Sequence, residues 1–287
     1  MQHIALTRLK PILCIVGAAF LFSSAAWAAS PPDPALSGDL LIGGTGAALG
    51  TMQKLAGEFV KSHPDLRVKI LPSLGSGGGI KALIAEQLTV SVSSRPITDA
   101  EKDKGIQARE VARTPFVFAT RLKTPASNLT LDELAAHYSG RTSQWSDGAQ
   151  VRPVLRPAGD VDTQLVKDMS PALAQALTDA HQRPGKNIAV TDTDSADELE
   201  KIPGTFGTST LSLIMSEQRR LKVLAVAGVE PTLENAASGK YAYLKTIYLI
   251  TPAKPSPVAQ SFVAFIDSPA GKTILFETGN LPVASEK

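Results

Sequence analysis

The sequence predicts an α/β fold with a mostly parallel sheet. Three observations lead there. Short apolar runs of strand length end in turns rich in glycine and serine. The turns open into stretches whose apolar residues recur at three- and four-residue steps, the spacing of one helix face. Strand, turn, helix and strand then repeat along the chain, the pattern of a sheet with crossover helices. Of the 287 residues, 43% are hydrophobic and 20% charged, which is enough to bury a core and too apolar for a disordered tail. The length fits one large domain or two of ordinary size. The 29 Lys and Arg nearly balance 27 Asp and Glu, without the basic excess that a nucleic-acid binder uses to release counterions.

Residues 1–28 read as a signal peptide. Arg8 and Lys10 form a positive start, Pro11 to Phe22 is an apolar run too short to span a bilayer comfortably, and Ala26-Trp27-Ala28 supplies a small-residue cleavage site. Cys14, the only cysteine, lies inside this segment, so the mature chain has no disulfide and no thiol chemistry. Losing Arg8 and Lys10 takes the basic residues from 29 to 27, against 27 acidic ones. The expected product is exported, soluble and formally neutral, with a bacterial periplasm as its simplest home.

In the mature chain, Asp39 to Ile42 reads as a strand ending in Gly43-Gly44-Thr45-Gly46. Ala48, Leu49, Met52, Leu55, Ala56 and Phe59 mark the helix that follows, and His63-Pro64 stops it. Leu66 to Leu71 is a strand, Ser73 to Gly79 a glycine-rich loop, Ile80 to Gln87 a helix and Leu88 to Val92 a strand. Phe116 to Thr120 is a further strand. Leu131 to Tyr138 is a helix behind Thr130 as N-cap, with Asp132 and Glu133 in its first turn. Val151 to Leu155 is a strand; Asp162 to Met169 and Pro171 to His181 are helices. Pro203 to Thr208 reads as a turn before the helix Leu211 to Arg219. Strands Leu221 to Ala227 and Tyr243 to Ile250, then helices Pro257 to Ile266 and Ala270 to Thr278, complete the chain.

One device recurs with chemical meaning. The polar turns Gly43–Gly46, Ser73–Gly79 and Gly159–Thr163 each lead into a helix. A helix start leaves backbone N–H groups without partners and carries partial positive charge. Glycine allows close approach and Ser or Thr adds donors, so several such ends at one point hold an anion without net positive charge. Other motifs fail. Leu49 stands where a dinucleotide fingerprint beginning at Gly44 needs its third glycine, Ile266 stands where a phosphate loop ending in Gly271-Lys272-Thr273 needs a glycine, and Leu74 breaks a nucleophile elbow around Ser76. His63, His137 and His181 have no metal-site spacing and read as surface or capping residues. No nucleophile–base arrangement, metal site or cofactor site is visible, and an enzyme is not expected.

The runs Leu41–Phe59, Leu74–Lys81, Ser93–Glu101 and Asn128–Asp147, with the turns Pro203–Thr208 and Gly228–Thr232, resemble the periplasmic phosphate-binding proteins of phosphate ABC transporters (PstS-like). The resemblance implies a two-lobed type II periplasmic-binding-protein clamshell with the ligand between the lobes. The lobes would be residues 37–118 with 243–287, and residues 119–242. It implies a monomer that closes on phosphate or a similar oxyanion and presents it to a membrane permease.

Carried over residue by residue, the resemblance places Thr45, Ala48 and Leu49 at the first helix start, Ser76 and Gly77 in the second turn, Ser94 and Arg95 in the third loop, and Arg156 beside the last turn. Ser94 stands where the family often has an Asp, and Asp160 and Asp162 stand where it has small hydroxyl residues. Asp160 is expected to take over the missing acceptor role and Asp162 to cap the next helix. Arg95 is read either as an added cleft cation or as a surface arginine pairing with Asp99. These departures leave two further expectations: a receptor for a different small anionic solute, or a sensor or interaction protein whose anion site is altered or lost.

Overall fold

A computed structural model describes residues 36–283; the signal-peptide segment 1–28 lies outside the described residues. In chain order, β1 (Gly38–Gly44), α1 (Gly46–Phe59), a 3-10 turn (Val60–Ser62), β2 (Leu66–Ile70), α2 (Gly75–Ile84) and β3 (Val90–Ser93) form the opening unit. Then come α3 (Asp99–Lys102), β4 (Ile106–Arg121), β5 (Asn128–Leu129), α4 (Leu131–Ser139), β6 (Arg152–Leu155), α5 (Val161–Met169) and α6 (Pro171–Gln182). They are followed by β7 (Asn187–Ile188), α7 (Asp192–Lys201), β8 (Thr205–Thr210), α8 (Leu211–Ser216), β9 (Leu221–Val226) and α9 (Leu233–Ala237). The last elements are β10 (Leu244–Pro252), α10 (Pro257–Asp267), α11 (Pro269–Glu277) and β11 (Leu281–Pro282).

The strands run in the order β2-β1-β3-β10-β4-β8-β6-β7. The flanks are parallel, as expected: β1 pairs with β2 and β3, and β6 with β7 and β8. The middle departs from a mostly parallel sheet, because β10 and β4 run antiparallel to each other and to their neighbours β3 and β8. β4 is 16 residues long, where only Phe116 to Thr120 reads as a strand in the sequence. Its first half pairs with β10 and its second half with β8 and β9.

The apolar residues gather on both sides of that shared strand. One core holds Leu40, Ile42, Met52, Phe59, Ile247 and Phe262. Another holds Phe116, Phe118, Tyr138, Trp145, Phe206 and Tyr241. The chain passes from one core to the other inside β4, between Ala112 and Phe116, and returns between Tyr241 and Ile247. Among the described residues no helix is long and apolar enough to cross a membrane.

Three local readings are corrected and one helix is added. The glycine-rich stretch expected as a loop is the first turn and a half of α2, which starts at Gly75. Gly79 allows this: a Cβ there would lie 2.5 Å from the Gly44 Cα, so close backbone packing of α2 on β1 outweighs glycine's poor helix propensity. The turn expected at Pro203–Thr208 is largely β8, whose six residues are all buried between β4 and β6. Helix α7 has no apolar stripe strong enough to read from sequence; it is anchored by a capping box between Thr191 and Asp194. His137 is buried, not on the surface, with its ring 4.8 Å from that of Trp145 and 5.5 Å from that of Phe206.

Candidate functional site

Among the described residues, eleven α-helices begin, and at nine of them the N-cap side chain accepts a hydrogen bond from the first turn. The exceptions are α1 and α2. The N-cap of α2 is Leu74, which has no acceptor, and the N-cap of α1 is Thr45, whose hydroxyl turns away from its own helix. The first-turn N–H groups of Gly46 and Ala47 in α1, and of Gly75, Ser76 and Gly77 in α2, have no hydrogen-bond partner among the described residues. They are unneutralised donors at the positive ends of two helix dipoles.

This moves the expected donors of α1. The Ala48 N–H donates to the Thr45 carbonyl at 3.2 Å, and the Ala48 and Leu49 side chains are packed into the core. The helix starts two residues earlier than its apolar pattern indicates, because Gly46 and Ala47 are small enough to be buried at its tip. The Ala48 amide is thus engaged within α1, and Gly46 and Ala47 are its tip residues whose amides have no partner among the described residues.

A continuous set of contacts joins the three glycine-containing turns. The Ser94 N–H donates to Ser76 Oγ at 2.9 Å, and Ser94 Oγ donates to Thr45 Oγ1 at 3.2 Å. Thr45 Oγ1 in turn donates to Asp192 Oδ2 at 3.0 Å. Asp192 Oδ1 accepts from Lys245 Nζ at 2.6 Å and lies 3.7 Å from Arg156 Nη1. Arg156 Nη2 donates to Asp160 Oδ2 at 3.0 Å and to the Val190 carbonyl at 3.3 Å. Lys245 Nζ also donates to Asp162 Oδ1, and Thr208 Oγ1 donates to Asp162 Oδ2 at 2.8 Å. Arg156 is only 3% exposed, yet its Nε and Nη1 make no hydrogen bond. A cleft of about 420 Å³ adjoins this network, walled by Ser94, Arg95, Asp160, Leu165, Leu244 and Tyr248 among others.

The network is nearly self-neutralising. Two cations, Arg156 and Lys245, face three carboxylates, Asp160, Asp162 and Asp192, a formal balance of −1 if all are ionised. Burial alone would push Lys245 down, but the charges of Asp162 and Asp192 outweigh it and hold the ammonium above its ordinary range. Burial likewise opposes the Asp192 carboxylate, and Lys245 and Arg156 overcome it, keeping Asp192 well below the usual carboxylate range. Asp160 shifts the other way. Burial and the neighbouring Asp162 charge raise it, and Arg156 only partly compensates.

Thr45, Ser76, Ser94, Arg156 and Asp160 thus join one contact network, with Gly77 in the first turn of α2, and Ser94 and Asp160 reach the cleft. The expected helix cap is reassigned from Asp162 to Asp160. Asp160 caps α5, its Oδ1 accepting from the Asp162 N–H at 2.9 Å, while Asp162 is buried on Lys245 and Thr208. Arg95 lines the mouth of the cleft, but its guanidinium is held by Glu101 at 2.7 and 2.8 Å and not by Asp99. Asp192 and Lys245 were absent from the sequence reading. Lys245 was detectable: it alternates in phase with Ile247 and Leu249, which places an ammonium on the buried face of β10.

The sequence profile of the PBP superfamily domain matches residues 29–270. The chain is 24% identical over 266 residues to the phosphate-binding protein PstS of Bacillus subtilis, covering 88% of this chain and 83% of the relative. It is 25% identical over 280 residues to PstS of Staphylococcus saprophyticus, covering 90% and 85%. Its fold is similar to that of a Clostridium perfringens protein solved with bound phosphate, with a TM-score of 0.72, 21% identity, and 86% and 100% of the two chains covered. It is also similar to an ABC-type phosphate transport receptor from Vibrio cholerae, with a TM-score of 0.56, 18% identity, and 85% and 99% covered.

Proposed function

The chain belongs to the PBP superfamily, and from that premise we propose that it is a solute-binding protein for phosphate or a similar small oxyanion. One observation carries this reading. The two helices left without a side-chain cap start at the same contact network that holds a buried arginine whose Nε and Nη1 make no hydrogen bond. An oxyanion there would accept from the amides of Gly46, Ala47 and the first turn of α2, from the Ser76 hydroxyl, and from Arg156. Backbone dipoles and one guanidinium then share the charge, as suits a site that must release its ligand again.

The residues that contribute come from both sides of the shared strand β4. In this reading residues 37–118 with 243–287 form one lobe and residues 119–242 the other, and hinge closure brings Arg156 onto the helix tips. The named relatives are phosphate-binding proteins and one is a transport receptor. That likeness supports a transport role, and the full reading proposed is a monomeric periplasmic receptor that hands its solute to the permease of an ABC transporter. A second reading, an interaction or sensor protein without a working anion site, is favoured by the carboxylates of Asp160, Asp162 and Asp192 in the crevice.

Isothermal titration of the mature protein with phosphate, sulfate, molybdate and a phosphonate separates the two. Saturable one-to-one binding of phosphate or another of these oxyanions is expected. Absence of heat with all of them, together with no shift in melting temperature, would leave the interaction reading in place.

A further inference from the structure

We propose that Asp192 is a built-in occupant of the anion position, which an incoming oxyanion must displace. The inference rests on the proposed oxyanion site and concerns what fills its donors in the absence of ligand. The Asp192 carboxylate, 3% exposed, collects donors of just the kind that site would offer: the Thr45 hydroxyl, the Lys245 ammonium and, at 3.7 Å, the Arg156 guanidinium. Thr45 spends its hydroxyl on this carboxylate and leaves its own helix uncapped.

The carboxylate is held there by the backbone. Asp192 is the first residue of α7, and the capping box of Thr191 and Asp194 fixes that start. The start of α7 is pressed against the start of α1: a Cβ added to Gly46 would lie 3.1 Å from the Asp192 Cβ and 2.8 Å from Thr193 Oγ1. An anion seated on Gly46, Thr45 and Arg156 would therefore touch the Asp192 carboxylate. Two adjacent anions repel at close range, and burial strengthens the repulsion. Lys245 offers the displaced carboxylate a place to stay, since its Nζ already holds the other oxygen of Asp192. Ligand entry is thus an exchange of one anion for another at Thr45 and Arg156, and Asp192 sets the affinity by competing.

Asp162 supplies the control. It carries the same charge and shares Lys245, but bonds Thr208 and not Thr45. Removing its charge changes the local field without clearing the anion position. Titration of inorganic phosphate into wild type, Asp192→Asn and Asp162→Asn is the test. Asp192→Asn is expected to bind phosphate about tenfold or more tighter than wild type, the change that follows from removing competition for charge-assisted donors. Asp162→Asn is expected to gain less. An Asp192→Asn affinity equal to or weaker than wild type, or a larger gain in Asp162→Asn, overturns the proposal while leaving the receptor reading intact. A silent wild type with a binding Asp192→Asn supports the proposal and removes the receptor reading. Silence in all three proteins overturns both. Should Asp192→Asn fail to fold, wild-type crystals grown with phosphate decide: an anion at Arg156 with Asp192 withdrawn from Thr45 supports the exchange, and Asp192 still bonded to Thr45 in the phosphate-grown crystals overturns it.

Discussion

One side of the contact network, from α1, α2 and β3, is a neutral wall of donors: bare amides at two helix tips and the hydroxyls of Thr45, Ser76 and Ser94. The facing wall, made by β6, α5, α7 and β10, presents full charges that are almost all paired with one another. The bare amides of the neutral wall can receive an anion without giving up a partner, whereas its Thr45 hydroxyl is already given to Asp192. The charged wall must first release an internal partner. Affinity then depends on how readily Arg156 and its neighbours exchange partners, more than on how many donors line the pocket.

The charged wall should be the sensitive one for stability. Lys245→Met leaves Asp162 and Asp192 buried without their ammonium, and breaking a buried pair of this kind costs about 3–5 kcal/mol, to be read as a lower urea midpoint. Arg156→Gln should affect binding more than folding. It removes the guanidinium of the proposed anion position and should weaken phosphate or sulfate binding by at least about tenfold in calorimetry, as loss of a charge-assisted hydrogen bond does.

A smaller effect should follow pH through Asp160, whose carboxyl is raised above the ordinary value of about 3.9 by burial and by Asp162. With its proton on, the cleft loses one negative charge. The stability tied to that raised carboxyl is complete below about pH 3.9 and is lost as pH rises through the folded value. Sulfate, a dianion throughout, should bind more weakly as pH rises through the same window, and Asp160→Asn should flatten that dependence. Smallest of all should be Arg95→Ala. Its guanidinium is committed to Glu101 in a partly exposed pair, so the loss should stay within about 1 kcal/mol of stability and about threefold in oxyanion affinity. A large loss of affinity in Arg95→Ala would move the site outward to the mouth of the cleft.

The neutral wall was also the readable one. Leu40, Ile42, Met52, Leu55 and Phe59 advertise β1 and α1 by their spacing alone, and the glycines between them announce the turn. Even there the starts of α1 and α2 lay hidden, because glycine at a helix tip reads as a loop until its close packing partner, Gly44 against Gly79, is known. The charged wall depends on long-range pairing. Asp192 and Lys245 are 53 residues apart, and Asp192 and Thr45 are 147 apart, so no local pattern connects them. Helix α7, which delivers Asp192, has only Ala196 and Leu199 as buried apolar residues and shows itself through its Thr191–Asp194 capping box. Strand β8 reads as a turn because Thr, Gly and Ser dominate it, and only its two strand neighbours make it extended.

Arsenate offers the most direct test of the central claim, since it has the shape and charge of phosphate and an anomalous signal that locates it in a crystal. A single anomalous peak within hydrogen-bond reach of the Ala47 amide, the Ser76 hydroxyl and the Arg156 guanidinium is the predicted result. A peak elsewhere on the protein, or none in crystals soaked in excess arsenate, would contradict it.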